Sequence, residues 1–316
     1  MDPETLRRLD LRRWDQLPRT TQLETCQRVV EGVPGLEFRE LRQFTHGGAR
    51  AAIRHAVGVF RFADRDLALV PGGRITLGLA GSVRAALRRV MPPASFARFD
   101  DAGVIDNLAD DPVAAGALFT PHRVVELPPF LLEQAATTFE DRDPAIDDAI
   151  HQHCTIREER PGHTVHACVV DGDDIEAALA ALCPPPWRLP TLDEWQHAYA
   201  AGGRAVFPWG DAWPGTPACP WWFGEPWTNV FGLTYAHATE CTAHRSVLAG
   251  GDPDGWSLNG FDAGIVRASA YVMHATQVDY SRWESYAAAG VRRVIPLVRE
   301  RRRHGFRRTP RTARSR

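Results

Sequence analysis

The chain has 316 residues and a formal net charge of −2, and all 37 of its basic residues are arginine, so it contains no lysine. That excludes a lysine Schiff base, a pyridoxal-phosphate enzyme and a Walker phosphate loop, because each needs a primary amine that a permanently protonated guanidinium does not replace. With 44% apolar and 24% charged residues the chain reads as a folded protein of one large or two small domains. Its ten tryptophans and 24 prolines point to an irregular, loop-rich interior.

In chain order, residues 4–60 read as helical, with Leu6, Leu9, Leu11 and Trp14 followed by stretches at 21–31 and 49–60 joined through Gly32-Val33-Pro34-Gly35. This predicts a small N-terminal helical layer, residues 1–60, packed on the main domain. Residues 67–78 read as two short strands about a Pro71-Gly72-Gly73 turn. Residues 82–120 read as helix and then irregular chain, and 122–127 alternate as a strand does. Asp173 to Leu182 has an acidic start and apolar residues at i, i+3, i+4 and i+7 (Ile175, Ala178, Leu179, Leu182), which predicts a helix ended by Pro184-Pro185-Pro186. A second helix is predicted over 191–201, with Thr191 as N-cap and Glu194 completing a capping box. From 207 to 293 the sequence is turns, glycines and aromatics.

The small net charge conceals a split. Residues 292–316 hold 11 arginines and one acid, Glu300, giving +10, while residues 1–291 hold 26 arginines against 38 acids, giving −12. Residues 301–316 lack apolar periodicity and read as a basic, disordered, solvated tail. Such a tail suits a nucleic-acid or acidic-partner arm, or it clings to the chain's own acidic body. Six scattered cysteines without a C-x-x-C pair read as reduced, mostly buried thiols. No basic-then-apolar leader opens the sequence and no apolar run reaches the roughly 18–20 residues of a membrane span. The expectation is a cytoplasmic protein with no membrane partner.

Three motifs follow one another in order: Arg188-Leu189-Pro190-Thr191-Leu192-Asp193-Glu194-Trp195-Gln196-His197-Ala198, Phe207-Pro208-Trp209-Gly210-Asp211 and Asn229-Val230-Phe231-Gly232-Leu233. Upstream lie Val70-Pro71-Gly72-Gly73 with Leu77-Gly78, and Pro121-His122-Arg123-Val124-Val125-Glu126-Leu127-Pro128-Pro129-Phe130; downstream lie Ala249-Gly250-Gly251 and Gly290-Val291-Arg292-Arg293-Val294. Together they resemble the formylglycine-generating enzyme, or sulfatase-modifying factor, superfamily. The resemblance implies an α+β domain over residues 62–300 with that family's variant of the C-type lectin fold, little regular secondary structure, and a surface cleft built by the C-terminal half. Physically these motifs read as structural. Arg188 and Glu194 can pair around a helix start, Trp195 and Trp209 are large anchors, and Gly210, Gly232, Gly250 and Gly251 allow turns.

The sequence departs from the family where the chemistry lies. Active members hold copper(I) between two cysteines late in the domain, a site that soft thiolates suit, whereas no cysteine follows Cys241 here. The copper oxidase mechanism is therefore not carried over. The family's calcium-binding turn after F-G-L is replaced by Thr234-Tyr235-Ala236-His237-Ala238-Thr239-Glu240-Cys241, which puts structural calcium in question. The first 60 residues are too short for the four-helix domain that supplies histidine ligands in the family's iron-dependent sulfoxide synthases.

Other candidate groups remain. Asp252, Trp256, Arg267, Tyr271 and His274 fall on the segment that lines the cleft in the resembled enzymes; they suit a small-molecule or peptide pocket with aromatic walls and polar anchors, unless the aromatics are core. His151, His153, His163 and His166, near Cys154 and Cys168, form the densest set of metal-type side chains. A strand would aim both imidazoles of H-x-H to one face, while Arg157, Glu158, Glu159 and Arg160 favour a solvated loop. Glu240 with His237 or His244 could form an acid–base pair. The sequence thus reads as a ligand- or protein-binding pseudoenzyme of this superfamily. One alternative is a nonheme metal-dependent oxidoreductase using His274 with Asp252 or Asp262. A second is a nucleic-acid or acidic-partner adaptor acting through the arginine-rich tail.

Overall fold

A computed structural model describes residues 1–46, 53–78, 122–136, 183–203, 227–235, 240–243, 247–249, 273–275 and 291–298, together with 120, 155–156, 168–169 and a few positions between 85 and 97. The architecture is α+β. Helices α1 (Pro3–Arg8), α2 (Leu11–Trp14) and α3 (Arg19–Gly32) precede strands β1 (Glu37–His46), β2 (Ile53–Phe62), β3 (Arg65–Val70), β4 (Gly73–Leu77), β5 (Arg123–Leu127) and β6 (Phe130–Glu133). Then come β7 (Thr155–Ile156), β8 (Cys168–Val169), helix α4 (Leu192–Tyr199), β9 (Trp227–Thr228), β10 (Thr234–Tyr235), β11 (Glu240–Cys241), β12 (Val247–Ala249), β13 (Met273–Ala275) and β14 (Val294–Pro296).

The helices start where the chain offers a cap. The Asp2 carboxylate accepts from the amides of Glu4 and Thr5 at 2.9 Å each, and Asp10 accepts from Arg12 and Arg13 at 3.0 and 3.3 Å, satisfying orphan donors of the first turn. In α3 the buried residues Gln22, Thr25, Cys26 and Val29 fall at i, i+3, i+4 and i+7, the single face a helix lays on a sheet. The helical reading of the N-terminal segment therefore holds to Gly32.

Beyond Gly32 it is corrected: residues 37–46 and 53–62 are strands, paired antiparallel from Glu37↔Arg61 to His46↔Ile53. The physical reason lies in β2, where His55, Ala56, Val57, Val59 and Phe60 are all buried. A strand covered on both faces loses the apolar–polar alternation and reads like a buried helix. One face is covered by α3, and Gly58 permits the close approach, since a Cβ there would stand 2.8 Å from Cys26 Sγ.

The main sheet is antiparallel in the order β1-β2-β3-β6-β14. Leu9, Trp14, Cys26, Val29, Leu41, Phe60, Leu67, Leu69, Leu131 and Ile295 join the N-terminal helices and this sheet in one buried cluster. Trp14 is fully buried and its indole donates to the Ala56 carbonyl at 2.6 Å. Burying a side chain of this size contributes about 3 kcal/mol.

The two strands predicted around Pro71-Gly72-Gly73 are present, and the turn sends them to different sheets: β3 joins the main sheet while β4 pairs with β5. Smaller sheets are β9–β10, β7–β8 and β11-β12-β13. The predicted strand at 122–127 is β5, and the predicted helix at 191–201 is α4, one residue inside its cap. The predicted helix at 173–182, most of 82–120 and the tail 301–316 lie outside the described residues.

Candidate functional site

The best-built polar centre lies where α4, β6, β11 and the residues leading into β14 meet. Arg292 is fully buried. Its Nε donates to Glu240 Oε1 and Oε2 at 3.2 and 3.0 Å, and its Nη2 to Glu240 Oε1 at 2.8 Å. The remaining donors reach the backbone carbonyls of Glu133, Gln134 and Thr234 at 2.8, 2.6 and 2.8 Å. Glu240, 1% exposed, also accepts from the indole of Trp195 at 2.9 Å. A guanidinium fork taken out of water in this way is tolerable only because carboxylate and carbonyls replace its hydration.

The neighbouring Arg293 pairs with Glu133, a buried acid at the end of β6 in the main sheet. Its Nε and Nη2 donate to Glu133 Oε1 at 3.0 and 2.6 Å, and its backbone amide donates to Oε2 at 2.7 Å. The guanidinium lies 4.5 Å from the centroid of the Trp187 ring, a cation–π arrangement.

The start of α4 forms the predicted capping box. Glu194 N donates to Thr191 Oγ1 at 3.2 Å, and Thr191 N donates to Glu194 Oε2 at 2.8 Å. Arg188 closes the unit by donating to both carboxylate oxygens of Glu194 at 2.7 and 2.6 Å, as the sequence predicted. Trp195 is buried and stacks on Tyr199 with ring centroids 4.2 Å apart. Arg188 and Val294 exchange both backbone hydrogen bonds, which covers the outer edge of β14.

Asn229 secures the N-x-F-G-L turn. Its Oδ1 accepts from the amides of Phe231 and Leu233 at 3.0 and 3.1 Å, while its Nδ2 donates to the Ala198 carbonyl of α4 at 2.7 Å. Gly232 adopts φ +73°, and a Cβ there would stand 2.7 Å from the Phe44 ring. Phe231 is flanked by His55 and His197, with centroids 4.8 and 5.6 Å away. His55 contacts Asp15 through Nδ1, and His197 Nε2 contacts the Pro71 carbonyl at 2.7 Å.

These contacts place one of the predicted acid–base candidates in a different role. Both oxygens of Glu240 are occupied by Arg292 and Trp195, so the carboxylate acts as a buried counter-ion; His237 and His244 lie outside the described residues. Asp252, Trp256, Arg267 and Tyr271 also lie outside them, as do His151, His153, His163, His166, Trp209, Gly210, Gly250 and Gly251. Of the predicted pocket, His274 is described through its backbone alone, in β13 opposite Leu248.

The frame around the predicted pocket is described more fully. Glu240 pairs with Ala249, and Ala249 with Met273. Ala249 and Met273, the described residues on either side of positions 250–272, are therefore adjacent in a small sheet, and Ala249 lies opposite Glu240 of the Arg292–Glu240 pair. Pro190 strengthens this link by accepting from the Ala243 amide at 2.8 Å.

Sequence reasoning missed the pairing of Glu133 and Glu240 with consecutive arginines. The available signal was an acid ending the all-apolar run Phe130-Leu131-Leu132-Glu133, since a carboxylate at such a position needs a cation. Among the described residues no three His, Cys, Asp or Glu side chains form a group able to hold a metal ion, and no helix is long and apolar enough to cross a membrane. No known family model matches the chain, and no curated protein matches it.

Proposed function

We propose that this chain is a divergent member of the formylglycine-generating enzyme superfamily, with that family's variant of the C-type lectin fold, acting as a ligand- or protein-binding pseudoenzyme. One observation carries the reading: the motif residues that resemble the family are far apart in sequence and touch in space. Trp195 meets Glu240 and through it Arg292, Asn229 holds Ala198, and His197 meets Pro71.

The donor set does not fit copper(I). Its two thiolates would fall between Gly251 and Gly290, where the sequence has no cysteine. Cys26 and Cys183 are no substitute: burial pushes the Cys26 thiol up to about 12 and the Cys183 thiol up to about 11, so both are protonated at neutral pH and are poor metal ligands. No reaction step is derived through copper. The chemistry left to this chain is recognition by Asp, Arg, His and aromatic side chains, with the Arg292–Glu240 pair holding the strands that bracket the segment 250–272.

The test is a thermal-shift screen of the purified chain against a panel of amino acids, short peptides and nucleosides, with metal content measured in parallel. A hit abolished by Arg267→Ala or Asp252→Ala supports the binding reading. Stoichiometric iron or manganese in the protein as purified, lost in His274→Ala, would replace it with the metal-dependent oxidoreductase.

A further inference from the structure

The main sheet ends in β14 on one side and in β1 on the other. Arg188 covers the edge of β14, whereas β1 pairs, among the described residues, with β2 alone. At ten residues β1 is long for an edge strand, since strands average about five or six and exposed edges are usually kept short. Glu37, Arg39, Glu40, Arg42, Gln43 and Thr45 are exposed along it, while Leu41 belongs to the buried core cluster and Phe38 packs against it.

A regular strand would turn Phe38 and Leu41 to opposite faces, because side chains alternate. The register slips between Phe38 and Glu40, a bulge with Arg39 as the extra residue, and this lets Phe38 and Leu41 share the core side. The same slip leaves Glu37, Arg39, Glu40 and Arg42 together on the exposed side, where Arg39 reaches Glu37 at 3.5 Å and Arg42 contacts Glu40. Read outward from the midpoint between Arg39 and Glu40, the stretch carries opposite charges at matching positions. Arg39 matches Glu40, Glu37 matches Arg42, and between them Phe38 matches Leu41.

We propose that β1 is a self-recognition edge: a second copy of this chain adds its own β1 antiparallel to it, about a two-fold axis between Arg39 and Glu40, and joins two five-stranded sheets into one. Glu37 of one copy then faces Arg42 of the other, Arg39 faces Glu40, and Phe38 lies beside Leu41. Directly opposed side chains stand about 5 Å apart, so unlike charges attract there and like charges repel. A row of one sign would repel a second copy; this alternating row attracts one at every charged position. A bulge commonly turns an edge away from pairing, but the two-fold sets one bulge against the other, so that both strands bend alike. The pairs within β1 compete weakly, because their side chains are 46% to 67% exposed. Arg19 donates to the Leu41 carbonyl at 2.8 Å, and the second lone pair of that oxygen remains for a strand amide. Two copies meeting over residues 37–42 bury less than the about 1,200–2,000 Å² of a standard interface, so the dimer is weak and depends on concentration.

The experiment is sedimentation velocity of the full chain from low micromolar to near-millimolar concentration, beside two full-length variants. One carries Arg39→Glu with Arg42→Glu, the other Glu37→Arg with Glu40→Arg. The native chain should show a monomer–dimer equilibrium, and each variant alone should dissociate more than about tenfold more readily, since every opposed pair becomes like-charged. An equimolar mixture of the two variants should restore the dimer, because every pair is again unlike; a variant that had merely lost its fold could not do so. Hydrogen exchange of the native chain, which needs no variant, should slow at β1 amides as concentration rises. A native chain that stays monomeric with unchanged β1 exchange, variants that dimerise as the native chain does, or a mixture that stays monomeric would each overturn the proposal. The readout is self-association, so it stands or falls apart from ligand binding at the proposed pocket.

Discussion

Arg292 and Glu240, 52 residues apart in sequence, form a two-point ion pair with the side chains 0% and 1% exposed. Because Glu240 lies in β11, opposite Ala249 of β12, the pair fastens the small sheet to the body. Removing one member leaves an uncompensated buried charge, which costs about 3–5 kcal/mol. Glu240→Ala and Arg292→Ala should each lower the denaturant midpoint by that equivalent. Glu240→Leu with Arg292→Met should recover a large part of the loss, since an apolar pair removes both desolvation costs. A double variant no better than the singles would mean that the bonds from Arg292 to the Glu133, Gln134 and Thr234 carbonyls carry the stability.

The cap of α4 allows a graded comparison. Thr191→Ala removes the side-chain acceptor for Glu194 N, a change that costs about 1 kcal/mol at a helix N-terminus. Glu194→Ala also strands Arg188, which is bound at two points, and should cost more. Urea unfolding of the two variants orders them, and equal losses would show that the Arg188–Glu194 pair adds nothing beyond the cap.

Glycine 232 is required for conformation and for space. Its φ of +73° is unfavourable to a side chain by about 1–2 kcal/mol, and a Cβ would also meet the Phe44 ring at 2.7 Å. Gly232→Ala should lower the melting temperature clearly, and combining it with Phe44→Leu should return the steric part only. Full rescue by Phe44→Leu would show that the backbone at 232 is unstrained.

Alkaline pH should weaken the fold through Cys26. Burial raises its thiol from 9.0 to about 12, so the folded state favours the protonated form. That contribution is fully present below pH 9.0 and is lost as pH rises from there toward 12. Each pH unit in this window costs about 1.4 kcal/mol. Urea midpoints of the native chain and Cys26→Ala should converge as pH rises above 9.0, and the native thiol should resist alkylation at neutral pH. Parallel curves for the two proteins would contradict this role for Cys26.

What could be read from the sequence was set by neighbours within about one helical turn. The Thr191–Glu194 box, the helical stretch at 21–31, the Pro71-Gly72-Gly73 turn and the alternation of β5 are local patterns, and each stands where its pattern lies. The residues proposed for a pocket were nameable from motif order, yet around them only the flanking strands β12 and β13 are described. Two decisions belonged to tertiary structure. Residues 37–62 became strands because covering β2 on both faces erased the alternation that would have marked it. Arg292 and Arg293 became part of the interior because Glu133 and Glu240, acids distant in sequence, were brought against their guanidiniums. Lacking lysine, the chain builds its buried ion pairs among the described residues with arginine; composition set the residue type, and long-range packing set that Arg292 and Arg293 serve the core.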